Sequence, residues 1–134
     1  MGTYAAGTFE IESWEEEPYD GREGARLTRT RLTKTFSGDV EGESTAELLM
    51  AYAAEESSAA YVGFERVVGH VRGRSGSFVL HHTASSDGSH GAPSATWSVV
   101  PGSGTGELRS LRGEARIINE PDGGHSFTLD YNFE

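Results

Sequence analysis

Apolar and polar residues alternate with a period of two along most of this chain, the pattern of strands that bury one face. In residues 8–14 (TFEIESW), Phe9 and Ile11 fall on one face, with Glu10 and Glu12 opposite. Residues 25–37 (ARLTRTRLTKTFS) alternate throughout and are rich in Thr and Arg, which suits a strand with one wet face. Residues 40–53 contain many helix formers (STAELLMAYA), but a hairpin partner follows directly, which decides for a strand. Residues 60–71 (AYVGFERVVGHV) and 76–83 (GSFVLHHT) read as strands joined by the tight turn RGRS. Residues 84–93 (ASSDGSHGAP) read as a loop. Strands over 95–100, 114–119 (EARIIN) and 126–133 (SFTLDYNF) complete the set, the last burying Phe127, Leu129, Tyr131 and Phe133. The turn before it is Pro121-Asp122-Gly123-Gly124.

Eight strands with no helical interruption predict one all-β domain over residues 1–134, either a sandwich or a barrel. The 18 glycines agree with this, because they are spread between apolar segments, as turns and bulges require. An eight-stranded barrel leaves an interior that side chains fill or that holds one small ligand.

The hairpin over residues 60–83 carries the candidate chemistry. A two-residue turn closed by Arg72 and Ser75 predicts that Val67 faces Leu80, Gly69 faces Phe78 and Glu65 faces His82. Tyr61, Glu65, Val67, Val71, Phe78, Leu80 and His82 then share one mostly apolar face. On such a face burial raises a carboxyl pKa and a neighbouring imidazole lowers it. Glu65 and His82 are therefore the candidate acid–base pair, able to move protons near neutral pH without a cofactor. The competing reading is a satisfied cross-strand pair near the rim, with Arg66 and His81 solvated on the other face. Tyr61, Val67, Phe78, Leu80 and Trp97 are the candidate substrate wall, although either Trp14 or Trp97 is equally explained as barrel core.

Composition excludes several classes. With 21 acidic and 11 basic residues the formal charge is −10, so the chain repels phosphate backbones and anionic membranes. Cysteine is absent, which removes disulfides, thiolate zinc sites and a cysteine nucleophile. No secretory signal, myristoylation pattern or apolar run of membrane-spanning length is present, and a cytoplasmic location is the default expectation. The histidines include no HxH or HExxH spacing, and His81 and His82 point to opposite faces of a strand, so no metal is expected. Residues 101–107 (PGSGTGE) lack the GK[ST] ending of a phosphate loop and the GxGxxG spacing of a dinucleotide turn, and read as a flexible connection. No GxSxG nucleophile elbow lies between a strand and a helix.

The segment Val99-Val100-Pro101-Gly102-Ser103-Gly104-Thr105-Gly106-Glu107-Leu108, followed by Leu111-Arg112-Gly113, resembles the Gly-rich segment of allene oxide cyclase and dirigent barrels. Residues 34–42 (KTFSGDVEG), 61–66 (YVGFER) and 73–79 (GRSGSFV) extend the resemblance to short bacterial proteins of that superfamily. It implies an eight-stranded antiparallel barrel of allene oxide cyclase type and a homo-oligomer, a dimer or trimer. The expected activity is that of a cofactor-free cyclase or isomerase acting on a hydrophobic small molecule in the lumen. A non-catalytic binding or orienting barrel, or an oligomeric module with a filled lumen, are the alternatives.

Overall fold

The computed structural model describes residues 3–53, 58–87, 94–119 and 124–133. His90 and the Pro121–Gly123 part of the expected turn lie outside them. Eight antiparallel strands form a closed barrel: β1 (Thr3–Asp20), β2 (Ala25–Gly38), β3 (Val40–Ala53), β4 (Ser58–Val71), β5 (Arg74–Asp87), β6 (Ser94–Val99), β7 (Leu111–Asn119) and β8 (His125–Phe133). Each strand pairs with its chain neighbour, and β8 returns to β1 over Thr3–Phe9 to close the barrel. The expected helix-forming stretch is strand β3, because its residues pair on both sides with β2 and β4. Tertiary pairing overrides helix propensity there. Among the described residues no helix is long and apolar enough to cross a membrane.

The wall is uneven. Strands β1 to β5 run for 14 to 18 residues, whereas β6 to β8 run for 6 to 9. Among the described residues, β6 and β7 are paired only through Trp97 with Ala115 and Ser98 with Glu114. On the short side the barrel is therefore open at one end among the described residues. Ala95 shows this directly: it shares the inward phase of Trp97 yet is exposed.

The opposite end is plugged. Residues 100–110 are not a flexible connection but lie against β5, with Val100 N–H donating to the Val79 carbonyl at 2.9 Å and Thr105 N–H to the Ser77 carbonyl at 2.9 Å. Ser77 N–H donates in return to Thr105 Oγ1 at 3.0 Å, and Val79 N–H to Ser103 Oγ at 3.0 Å. Gly76 permits this approach, since a Cβ there would sit 2.0 Å from the Thr105 carbonyl oxygen. A single 3-10 turn (Gly106–Leu108) then drives Leu108 into the barrel, where it and Leu111 are fully buried. Above them pack Phe9, Phe36, Val40, Val67, Val71, Phe78, Leu80, Val99, Phe127 and Leu129.

Several local expectations are corrected. The first strand starts at Thr3 and runs to Asp20, and β5 continues through residues 84–87, which read as loop. Strand β7 starts at Leu111 rather than at residue 114. A register shift between Ile11 and Ser13 inverts the alternation of β1 and sets Trp14 opposite buried Leu32. Yet Ile11 is 40% exposed and Trp14, far from being core, 48% exposed, because β1 beyond Phe9 has no β8 partner among the described residues. The β4–β5 hairpin is closed by Val71 and Arg74, with Arg72 (φ 48°) and Gly73 (φ 86°) as its two turn residues. Two successive positive φ angles make a turn whose twist matches the strands. Val67 therefore faces Phe78, Glu65 faces Leu80 and Gly63 faces His82, a shift of two residues. Because strand faces repeat every two residues, that shift leaves every expected face unchanged.

Candidate functional site

Five consecutive strands each send one inward side chain to the same level of the barrel: Lys34 from β2, Ser44 from β3, Glu65 from β4, His82 from β5 and Trp97 from β6. Alternation places them. Lys34 sits between Leu32 and Phe36 on the buried face of β2, and Lys34 and Ser44 are direct cross-strand partners. The tilt of barrel strands then brings side chains from adjacent strands together diagonally.

Glu65 is the hub and has no exposed surface. Its Oε1 accepts from Lys34 Nζ at 3.2 Å and lies 2.7 Å from His82 Nε2, while Oε2 accepts from Ser44 Oγ. Lys34 is only 4% exposed, and its ammonium lies 4.2 Å from the Trp97 ring centroid and 4.7 Å from that of Phe9. Two aromatic faces and a carboxylate compensate much of the cost of burying that charge. Burial pushes the Glu65 carboxyl up, but the His82 hydrogen bond, the Lys34 charge and Ser44 outweigh it, and its pKa is lowered. Burial lowers the Lys34 pKa against the pull of Glu65. Burial also lowers that of His82, again against Glu65 and with help from the Lys34 charge.

These directions fix the protonation pattern. Glu65 is an ionised carboxylate paired with the Lys34 ammonium, and His82 is neutral near pH 7. An ionised carboxylate only accepts hydrogen bonds, so His82 Nε2 carries the proton and donates it to Glu65. His82 Nδ1 is then a lone-pair nitrogen, with no hydrogen bond to any described residue. The arrangement is an oriented imidazole with one free basic nitrogen.

Trp97 adds a second polar group. Its ring centroid lies 4.1 Å from that of His82, and its buried Nε1 makes no well-formed hydrogen bond among the described residues, with the Tyr61 hydroxyl as its neighbouring acceptor. Leaving such a donor unmade costs about 1–3 kcal/mol. Tyr61, half-buried, stands beside it: burial raises the phenol's pKa and the Trp97 N–H works against that rise. Beyond these residues the inner face leads to the open end through Ala84 and Ala95, which pair with each other and are partly exposed and exposed respectively. A further polar cluster lies towards that end, where Glu16 Oε2 accepts from Thr28 Oγ1 at 2.7 Å and from the Tyr52 hydroxyl at 2.8 Å.

The expected site residues are thus all brought to one interior face, but at two depths. Glu65, His82, Tyr61 and Trp97 form the polar level, while Val67, Phe78 and Leu80 lie beneath it in the plugged half. The cavity bordered by those three, with Phe36, Val40 and Trp97, is about 10 Å³. That is less than one water needs, so no substrate fits beside Val67, Phe78 and Leu80. Arg66 is exposed and His81 stacks on Phe64 across the outer face, with ring centroids 5.2 Å apart. Among the described residues no three His, Asp or Glu side chains are grouped as a metal ion needs. Lys34 and Ser44 went unnoticed in the sequence. The signal for Lys34 was the Leu32-x-Lys34-x-Phe36 phase, which places a lysine between two core residues.

A family model described as a protein of unknown function, DUF3224, matches residues 5–131, and the chain belongs to that family. A crystal structure of a DUF3224 protein with unknown function from Shewanella oneidensis MR-1 is similar, with 37% sequence identity and a TM-score of 0.85. The alignment covers 100% of this chain and 99% of that one. No curated protein matches the chain.

Proposed function

We propose that this member of the DUF3224 family binds a small neutral carbonyl compound at the floor of its open end and moves a proton on it, as an isomerase or cyclase does. One observation carries the reading: a buried Trp97 N–H, which makes no well-formed hydrogen bond among the described residues and has the Tyr61 hydroxyl as its neighbouring acceptor, stands beside an imidazole whose Nδ1 is free and whose Nε2 is held by a carboxylate. In this scheme the ligand's carbonyl oxygen accepts from Trp97, and His82 Nδ1 takes a proton from the adjacent carbon. The negative charge that develops on oxygen is met by the indole donor, and the imidazolium is stabilised by Glu65. Return of the proton to another carbon gives the isomer, and nothing is oxidised or reduced. Lys34 balances Glu65 so that the polar level is neutral overall, which favours an uncharged ligand. Tyr61 and Trp97 serve as the wall, and no cofactor is called for. The resemblance of residues 99–113 to allene oxide cyclase barrels supports the same class of chemistry.

The test needs no knowledge of the natural substrate. Cyclohexanone and 4-heptanone in heavy water exchange their α-protons slowly, and proton NMR follows the exchange. The reading expects acceleration by the protein, loss of it in Glu65→Gln and His82→Gln, and a ketone-dependent shift of the Trp97 indole resonance but not of Trp14, which is bonded to Glu16. Absence of both exchange and shift sinks it. A second reading, a purely structural network, is favoured by the filled lower lumen and by the three donors on Glu65. It expects no exchange but the same loss of stability in Glu65→Gln.

A further inference from the structure

The outer wall of β2 to β5 carries a feature that the interior does not explain. Leu49, Val62, Phe64 and Val68 all point outwards and are 47%, 42%, 56% and 56% exposed. Leu49, Val62 and Phe64 are contiguous, since Leu49 pairs with Val62 and Phe64 follows on the same face of β4, and Val68 continues that face beyond Arg66. Contiguous large apolar side chains on a soluble surface mark a contact site. Charges of both signs flank them: Arg31 is the cross-strand partner of Glu47, and Arg66 shares the groove with Glu43. None of these four takes part in an ion pair among the described residues. The groove they line has a volume of about 920 Å³.

We infer that this face joins two copies of the chain in a two-fold dimer. Charge argues for a second copy over another partner. The chain carries a formal charge of −10, and outward Glu10, Glu15 and Glu17 make β1 strongly acidic, so two copies repel each other over most approaches. On the β2–β5 face three outward arginines (Arg29, Arg31 and Arg66) and three outward glutamates (Glu41, Glu43 and Glu47) cancel. A face with both signs uncommitted is self-complementary, because a two-fold contact presents each arginine to a glutamate twice over. The four strands of 14 residues give this wall a length of roughly 45 Å at ordinary strand spacing.

Sedimentation equilibrium of the full chain tests this at about 100 µM, far above the Kd of a micromolar contact. The expected mass is twice 14.4 kDa. Val62→Glu with Phe64→Glu should give a monomer that still unfolds cooperatively, with the midpoint that the wild type shows when diluted to monomer, since both side chains are outside the core. Arg31→Glu with Arg66→Glu, and separately Glu43→Arg with Glu47→Arg, should each be monomeric, and mixing the two should restore dimers. A monomeric wild type overturns the inference, whatever else the face then binds. So does a dimer that survives Val62→Glu with Phe64→Glu.

Discussion

Glu65→Gln is the most informative single change, because its cost follows from the geometry of one residue. Glutamine keeps the size of the side chain and can still bond Ser44 and His82, but it removes the charge that balances Lys34. Lys34 is 4% exposed, so water cannot replace the lost carboxylate. Removing one partner of a buried ion pair costs about 3–5 kcal/mol, against a total stability of about 5–15 kcal/mol for a domain. At roughly 3–4 °C per kcal/mol for a chain of this size, the thermal midpoint should fall by roughly 10–20 °C. Urea unfolding followed by tryptophan fluorescence gives the free energy directly. The double variant Lys34→Met with Glu65→Gln should recover to within about 1–2 kcal/mol of the wild type, since a buried pair replaced by uncharged groups costs little. The coupling between the two changes is then favourable by at least about 2 kcal/mol. A loss below about 1 kcal/mol for Glu65→Gln, or a double variant worse than the single one, would refute the buried pair.

Leu108→Ala should cost about 2–5 kcal/mol by urea unfolding, because the side chain is fully buried at the plugged end; under 1 kcal/mol would mean the plug is not tight. Stability should fall as pH drops. His82 resists protonation in the fold, so the unfolded chain takes up that proton first as pH falls through 6.5, and stability declines from there. Glu65 also has a lowered pKa, so its contribution is complete above about 4.5 and is lost as pH falls through its folded value. His82→Gln should flatten the decline of the thermal midpoint just below pH 6.5 and leave the acid limb; an unchanged profile would show that His82 is not buried neutral.

The all-β class was legible because two signals reinforced each other, while the choice of a barrel over a sandwich rested on the resemblance of residues 99–113. Alternation marked the strands, and regularly placed glycines marked the turns between them. The shared face of Tyr61, Glu65, Val67, Phe78, Leu80 and His82 was legible too, and it survived an error of two residues in the hairpin register. What failed were properties that alternation does not encode. The register shift between Ile11 and Ser13 inverts the second half of β1 without any glycine to announce it. The PGSGTGE segment looks like a loop by composition, yet its Ser103 and Thr105 side chains bind it to β5. Lys34 was hidden because β2 bears Thr on both faces, so the phase rests on Leu32 and Phe36 alone.

The plug and the polar level divide the work of the barrel. Ten or more apolar side chains and Leu108 fill the lower half until about 10 Å³ remains, and that half holds the fold together. A core so filled has no need of an ion pair, and apolar residues of similar volume in place of Lys34 and Glu65 would be neutral or stabilising. Specificity of packing alone does not account for the pair either, because closure of eight strands already fixes the register. The charged groups sit where the filled half ends and the open end begins, beside the buried Trp97 N–H, which makes no well-formed hydrogen bond among the described residues. Buried polar groups that cost stability at the boundary between a packed core and an opening are where chemistry is to be sought.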